Sequence, residues 1–395
     1  MNERRLRKAL LAAVPPDEMG AQRRSWRVVR TAFGEREPTP WPMRHRRPIA
    51  AVAVALALLA AALSAPGRAV LRGVKDVVTT EKVVGVPRAR PALFSLPTKG
   101  RVLVSAPTGV WVVSADGSRR KLGGYKEATW SPHGRFVGVS KRHQLSAVTP
   151  KGVVRWTLSR ANVHHPRWSS SGFRIAYLSG SNVRVVAGDG TGDRRLDSAR
   201  DVAPAWRPGD EHVLAYVDRN QTVNVVETDS NQTLWTAGGI AADPTQLEWS
   251  ADATRLLVVR RLPGGRFLLI VFDDGGRRLQ TLEFPGRPLD VSLAPRDHRI
   301  ALIRRLGPRS ELLVVDADTL RRQKLVFSGK GTFGDVAWAP SARWLLLGWK
   351  SADQWLFIRS TDVSKIKAFS SLRVQFDPGG TGRGAFPRIE GWCCQ

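Results

Sequence analysis

The sequence predicts an all-β fold, a β-propeller of four-stranded blades closed into a ring. Three observations predict it: a tryptophan-led motif recurs at intervals of 38 to 45 residues, each motif precedes several short apolar runs, and the two ends of the repeat region carry complementary parts of one more blade. A period of 20–50 residues is typical of repeat architectures, and four short strands per period match one propeller blade.

The repeated motif places a bulky apolar residue just before a tight turn and an apolar strand. The first copy reads Trp-Ser-Pro-His-Gly from Trp130 and is followed by the run 135–139. The repeated position is occupied by Trp130, Trp168, Trp206, Trp249, Leu293 and Trp338, and again by Trp392 near the end. Since a single blade leaves both faces exposed, we expect these side chains to fill the wedge between neighbouring blades.

The ends of the repeat region predict how the ring closes. Residues 102–104, 110–117 and 119–122 read as the second, third and fourth strands of a blade that lacks its first, and 386–392 reads as an inner strand. Pairing the two would remove both open edges, a clasp between the N-terminal and C-terminal ends of the ring. This predicts seven blades. A six-bladed ring is the alternative, if residues 372–392 only cover the surface.

Trp-Ser-Pro-x-Gly followed by an apolar strand resembles the WD40-like repeat of the TolB-type propellers, over residues 100–395. The acidic residue usual between proline and glycine in that motif is replaced by His133 and Ser171 in the first two units. The resemblance implies a propeller that serves as a binding module. Some members of the family cap a serine peptidase, a domain that we do not expect here.

Residues 49–65 form an uncharged stretch of 17 residues between Pro48 and Pro66. At about 1.5 Å per residue a helix of this length covers ~25 Å, close to the ~30 Å hydrocarbon core. We therefore predict a single transmembrane helix over 48–66. A cleaved signal peptide is the alternative, with residues 62–64 as its small-residue site, but the 48 residues before the apolar run are too many for a typical signal.

The charge distribution predicts the orientation of this anchor. Residues 1–47 hold 12 Lys or Arg and 5 Asp or Glu, so +7 of the total charge of +28 precedes the apolar run and +21 follows it. Positive flanks stay in the cytoplasm. We expect a basic cytoplasmic helical segment (1–47), the membrane helix (48–66), a juxtamembrane helix with a proline-containing linker (67–99), and an extracytoplasmic propeller (100–395).

This layout predicts a membrane-anchored binding or scaffolding module of a bacterial cell envelope, with a protein or envelope polymer as its ligand. The alternative is a transmembrane regulatory sensor, similar in layout to anti-sigma factors, whose residues 1–47 hold a cytoplasmic protein partner. Nucleic acid is not expected as a partner, because the arginines are spread over strands and loops rather than clustered with stacking aromatics.

Motifs of catalysis are missing from the sequence. It contains no Gly-x-Ser-x-Gly, no His-Glu-x-x-His and no Walker-type glycine loop. We therefore predict no catalytic residues, no enzyme activity, no cofactor and no metal site. The pair His164–His165 is interpreted as part of a solvated turn, and Cys393–Cys394 as free or mutually paired.

One set of polar residues recurs at a fixed place in the repeat. Three positions before the repeated tryptophan or leucine stand Glu127, His165, Gln246, Asp290 and Asp335, with Ala203 as the exception. Equivalent positions in successive blades lie around the same ring, so these residues are predicted to surround the mouth of the central channel and bind a cation, a sugar or a basic peptide segment. The alternative is that inter-blade loops carry polar residues wherever they meet water.

Overall fold

Seven four-stranded antiparallel sheets make up the computed structural model, which describes residues 95–378, 380 and 384–394. The predicted cytoplasmic segment, the predicted membrane helix and residues 67–94 of the linker lie outside the described residues. Within the described ranges, no helix is long and apolar enough to cross a membrane.

Each blade runs from a strand at the ring axis to a strand at the rim, and strands follow one another along the chain in six of the seven blades. Blade 1 comprises β28 (Arg388–Cys393), β1 (Arg101–Ala106), β2 (Gly109–Val113) and β3 (Arg119–Gly123); blade 2, β4 (Glu127–Trp130), β5 (Val137–Lys141), β6 (Gln144–Val148) and β7 (Val154–Ser159); blade 3, β8 (Val163–Trp168), β9 (Arg174–Ser179), β10 (Asn182–Ala187) and β11 (Arg194–Ser198); blade 4, β12 (Ala205–Trp206), β13 (Val213–Val217), β14 (Val223–Glu227) and β15 (Gln232–Ala237).

The remaining three blades have the same construction. Blade 5 comprises β16 (Asp243–Trp249), β17 (Arg255–Leu262), β18 (Arg266–Asp273) and β19 (Arg278–Pro285); blade 6, β20 (Arg287–Leu293), β21 (Arg299–Leu306), β22 (Arg309–Asp316) and β23 (Gln323–Lys330); blade 7, β24 (Phe333–Trp338), β25 (Trp344–Trp349), β26 (Gln354–Arg359) and β27 (Ile366–Ser370). One helical turn, α1 (Leu372–Gln375), follows blade 7, and short 3-10 turns cover Pro132–Gly134 and Lys350–Ala352.

The predicted clasp closes the ring. Strand β28 pairs antiparallel with β1, with Val102 opposite Trp392, so the C-terminal strand supplies the inner strand of blade 1. The prediction of seven blades is confirmed, and the six-bladed alternative is wrong. Strand β28 covers the inner edge of β1, which would otherwise expose unpaired backbone N–H and C=O groups. Removal of this open sheet edge is the physical reason for the arrangement.

The hydrophobic core is divided into seven clusters, one between each pair of neighbouring blades. Successive residues of a strand point to opposite faces of a sheet. In β25, Leu345 and Leu347 accordingly pack against blade 6, whereas Leu346 packs against blade 1. Because both faces are buried, the second strand of a blade, such as β13 or β25, reads as a continuous apolar run rather than as an alternating pattern.

The repeated tryptophan and leucine residues lie at the ends of the inner strands. Each of the seven belongs to a different inter-blade cluster and packs toward the preceding blade. Two of them also donate an indole N–H to that blade: Trp206 to the carbonyl of Arg167 at 3.0 Å, and Trp338 to that of Ser292 at 3.0 Å. The wedge role predicted from the sequence is therefore visible at every interface.

The serine of the motif explains why the repeat reads Trp-Ser. In the first copy, the backbone N–H of Ser131 donates to the carbonyl of Phe136, and its hydroxyl accepts from the N–H of the same Phe136 at 2.8 Å. Ser169 and Ser250 close their turns in the same way. The hydroxyl satisfies a backbone donor of the turn that has no strand partner.

Candidate functional site

The inner strands surround a cavity of about 730 Å³ on the ring axis, and residues from all seven blades line it. Four of the five residues predicted at the channel mouth line this cavity: His165, Gln246, Asp290 and Asp335. Ala203, the exception in the pattern, lines it too. Glu127 instead lines a neighbouring pocket of about 350 Å³ with Arg142 and His164, so the predicted ring is incomplete there.

The predicted residues also serve a purpose that the sequence reasoning missed, since they connect neighbouring inner strands. The side chain of Asp290 accepts a hydrogen bond from the backbone N–H of Val336 at 2.8 Å, and Asp335 accepts one from Ile389 at 3.1 Å. Glu127 accepts from the N–H of His165 at 2.5 Å. In each pair the acceptor belongs to one blade and the donor to the next.

Gln246 makes the same connection with an amide. Its Oε1 accepts from the backbone N–H of Val291 at 3.2 Å, and its Nε2 donates to the carbonyl of that residue. An inner strand has no strand neighbour on the axis side, so its N–H groups need other acceptors. We call Glu127, Gln246, Asp290 and Asp335 the inter-blade clamp. The carboxylates of the clamp each keep a second oxygen that this backbone bond does not use.

Five charged residues that the sequence reasoning did not single out line the same cavity: Arg167, Asp201, Glu248, Arg388 and Glu390. Arg167 and Glu248 stand one position before the repeated tryptophan. Residues one and three positions before it lie on the same side of a strand, so the pattern that located the clamp extends to this position as well.

Glu390 faces the cavity for a different reason. In the pairing of β28 with β1, Leu103 lies opposite Gly391 and Val104 opposite Ile389, so Glu390 is the extra residue of a β-bulge. A bulge re-aims a side chain relative to the regular alternation. The repeat pattern carries no signal for this residue, because its position depends on the closing pair of strands.

The acidic groups of the cavity are held in an unfavourable environment for charge. Burial raises the pKa of Glu248 to about 8, and the neighbouring charge of Asp290 adds to the effect. Burial likewise raises the pKa of Asp290, with a further contribution from Asp335. The pKa of Glu390 rises to about 7 through burial, although the positive charge of Arg388 opposes the shift. Desolvation, with repulsion between neighbouring carboxylates, therefore shifts Glu248, Asp290 and Glu390 toward their protonated forms near neutral pH.

Several polar atoms around the cavity have no partner in the described part of the chain. Oε1 of Glu390 is buried and accepts no hydrogen bond, and the indole N–H groups of Trp249 and Trp392 are buried without an acceptor. Arg388 approaches Asp335 only loosely, with Nε 4.0 Å from the carboxylate. The hydrogen-bonding groups of the cavity are therefore incompletely satisfied by the described residues themselves.

The histidine pair lies at the edge of the cavity in strand β8, not in a solvated turn as predicted. Nε2 of His164 and Nε2 of His165 lie 3.1 Å and 3.0 Å from the same carboxylate oxygen of Asp201. The two imidazoles reach one partner because His165 has a φ of +51°, which interrupts the alternation of the strand. Burial lowers the pKa of His165 and favours its neutral form.

One further group has the composition of a metal site. His212, Glu227 and Asp229 lie close together near the outer strands of blade 4, but Arg174 and Arg194 already pair with Asp229 at 2.8 and 2.9 Å. Two guanidinium groups on the central carboxylate oppose a cation there, so we assign no metal to it. The two cysteines, Cys393 and Cys394, form a disulfide with each other at the end of the closing strand.

Comparisons with known proteins support the fold and no finer assignment. A scan of protein families and a search of curated proteins both returned no match. Among solved structures, the β-propeller domain of Myceliophteria thermophila Cps50 (Swd1) aligns with a TM-score of 0.51 at 12% identity, covering 62% of this chain and 86% of that one. Kuenenia stuttgartiensis hydrazine synthase aligns with a TM-score of 0.49 at 13% identity, covering 60% and 77%. At 12% identity the likeness to the Cps50 (Swd1) β-propeller domain shows a shared fold alone.

Proposed function

We propose that the protein is a membrane-anchored, extracytoplasmic binding module of a bacterial cell envelope, and that its ligand enters the axial cavity. The observation that carries the proposal is the cavity itself, about 730 Å³ in volume and lined by charged side chains. This volume lies within the ~300–1,000 Å³ typical of ligand sites. The charged groups are more numerous than the clamp between inner strands requires.

Membrane anchoring rests on the sequence of residues 49–65 and on the basic segment that precedes it. A tag at the C-terminus of the full chain tests this part in intact bacteria. We expect the chain in the membrane fraction, with the tag removed by external protease after the outer layers are opened. A tag that stays protected in intact spheroplasts, or a chain recovered without membranes, would refute the anchor or its orientation.

Ligand entry at the axis is tested by photo-crosslinking from two positions of the full chain. Ser170 is exposed and lines the cavity, whereas Val154 is 49% exposed on the outer strand of blade 2. A crosslinker at Ser170 should capture a ligand that the one at Val154 does not. Crosslinks from Val154 alone would indicate a scaffold that uses the rim of the ring, and the axial site would be wrong.

The regulatory alternative, a sensor with an anti-sigma-like layout, depends on the segment 1–47 and its charge of +7. It predicts a specific protein bound to this segment in cytoplasmic extract. Immobilised residues 1–47 compared with a charge-matched scrambled peptide provide the test. Recovery of one protein by the native sequence alone would favour the sensor over the scaffold.

A further inference from the structure

The axial cavity has more acidic than basic side chains, unlike the protein as a whole. Its acidic residues deep in the ring are Glu248, Asp290, Asp335 and Glu390, and its basic residues are Arg167 and Arg388. The acids come from three consecutive blades and the closing strand, so one side of the channel is acidic. A low-dielectric site of this kind strengthens attraction to a positive charge.

From this arrangement we infer that the cavity binds one organic cation, an alkylammonium or guanidinium group, against the carboxyl groups of Glu248, Asp290 and Glu390. The inference rests on the proposed binding function and names its ligand. The independent observation is Oε1 of Glu390, which is buried, lines the cavity and has no hydrogen bond of normal geometry within the described residues, although the nearby Ser105 hydroxyl acts to lower the pKa of this group. A buried carboxylate oxygen without a donor is costly, and an N–H donor of the ligand would remove that cost.

Blade 4 provides the space for such a group. Ala203, Pro204 and Ala205 line the cavity where other blades place long polar side chains, and they contribute neither charge nor bulk. A bare divalent metal ion fits the site less well, since calcium needs six to eight oxygen ligands at about 2.3–2.6 Å. Two arginines already lie among the carboxyl groups, and about 730 Å³ far exceeds the volume of one ion.

The net positive charge of the residues after position 47 restricts which organic cations can approach the cavity. The residues after position 47 carry +21, so a polycation is repelled at a distance while a neutral or acidic ligand with one basic group is not. We therefore assign the site to a single lysine-like or arginine-like group, presented either by a peptide segment or by a small monoamine. Both sources have the same chemistry and are separated by experiment.

Binding of the cation is linked to proton release. The raised pKa values of Glu248 and Asp290 mean that these groups are partly protonated near neutral pH, and a bound cation favours their ionised forms. Affinity should fall as the pH decreases from 8.5 to 6, by about tenfold per pH unit below the pKa of each carboxyl group that must lose a proton. The pKa of Arg388 is raised by the nearby charge of Glu390, so this residue stays charged throughout the range. Asp335 and Glu390 share the cavity, and His165 and Asp201 stand at its mouth.

A first experiment supplies the cation from the protein itself. In the full chain in detergent, Ala203→Lys places an ammonium group in the cavity, and Ala203→Met is a neutral control of similar length. We expect the Lys variant to unfold about 3 °C above the Met variant at pH 8.5 and the difference to vanish near pH 6. Equal midpoints at both pH values, or a less stable Lys variant at pH 8.5, would overturn the inference.

A second experiment uses ligands. N-acetyl-lysine methylamide and N-acetyl-arginine methylamide should bind at least tenfold more tightly than N-acetyl-norleucine methylamide, by calorimetry at pH 8.5, and butylamine shows whether a monoamine suffices. Glu390→Gln should remove this preference. Glu283→Gln is the matched control, because Glu283 is exposed on blade 5 and pairs with Arg266 at 2.8 Å.

The outcomes separate this inference from the proposed function. Equal binding of the lysine and norleucine probes, stronger binding of Ca²⁺ than of either cationic probe, or a normal preference in Glu390→Gln would refute the organic-cation site. If crosslinking from Ser170 still captures a ligand in that case, the binding function stands with a different ligand. If Ser170 captures nothing while the lysine probe binds, the cation site stands and its proposed physiological use is wrong.

Discussion

Arg260 is a buried cation between blades 4 and 5, and its replacement gives a sharp test of how the ring is held together. It is 1% exposed in strand β17. Its guanidinium donates to the carbonyl oxygens of Ala242 at 3.0 Å, Gln221 at 3.1 Å and Ala237 at 3.3 Å. Burial lowers its pKa, and no carboxylate of the described residues contributes to the shift. Three backbone carbonyls, two in loops and one at the end of β15, therefore depend on one side chain, and the carbonyl of Ile240 lies farther from it at 3.5 Å.

Arg260→Ala leaves a cavity and three carbonyls without their donor, whereas Arg260→Met keeps most of the volume and loses only the donors. Breaking a buried charged interaction costs about 3–5 kcal/mol. Orphaned buried acceptors alone cost about 1–3 kcal/mol, because removal of the charge also relieves its desolvation. The expected order of stability is wild type, then Met, then Ala, and the Ala variant should unfold at least ~6 °C below wild type.

The measurement is thermal and urea unfolding of the full chain in detergent, followed by the fluorescence of its 14 tryptophans. Arg261→Met is the matched control, because the side chain of Arg261 is 51% exposed and its ion pair is a long one, with Nη2 3.5 Å from Oδ2 of Asp243. We expect that variant to change stability by less than ~0.5 kcal/mol. An Arg260→Met protein as stable as wild type would refute the reasoning, since the three carbonyls would then need no buried donor.

Three more predictions concern other parts of the ring. Asp335→Ala removes the acceptor for the N–H of Ile389 and should destabilise the clasp by about 1–2 kcal/mol in urea titration, whereas Asp335→Asn, which keeps an acceptor, should cost less. The pKa of Asp193 is lowered by hydrogen bonds from partners that include Arg184, so its contribution to stability is present above the unfolded pKa of ~3.9 and is lost as pH falls through the folded value. The difference in unfolding free energy between wild type and Asp193→Asn should therefore be largest at pH 6–7 and shrink below pH 3; a constant difference would contradict it. Trp392→Ala should cost about 3–5 kcal/mol by opening the interface between blades 7 and 1, and a loss below 1 kcal/mol would show that the clasp does not depend on this indole.

The fold was predictable from the sequence because each copy of the repeat contains, within a few residues, the side chains that fix its turn and its inter-blade contact. Each inner strand ends in a residue large enough to fill an inter-blade wedge, and the serine that follows closes the turn, so Trp130, Trp168 and Trp249 carry nearly the same signature. Leu293 shows that size and apolarity are what the position requires, since it fills the interface of blades 5 and 6 in the place of an indole.

The site was only partly predictable, because two of its determinants are not periodic. Glu390 reaches the cavity through the bulge opposite Leu103 and Val104, a feature of the closing pair and of no other blade. His165 leaves the strand alternation through its positive φ, which a spacing argument does not anticipate. A repeating pattern predicts the features that the blades share, and it does not predict the position of a residue that depends on the geometry of a single blade.

Two opposing effects act on the ionisation of the clamp carboxyl groups that line the cavity. Asp290 and Asp335 each use Oδ2 to accept a backbone N–H from the next blade, a bond that favours the ionised carboxylate. Burial and mutual repulsion act in the opposite direction on Asp290 and raise its pKa. A cation on the axis would favour the ionised form and with it the inter-blade bond. Occupation of the cavity by a cation and the interface between blades 6 and 7 would therefore be coupled through one carboxylate, so a cation that binds at the axis should also tighten that interface.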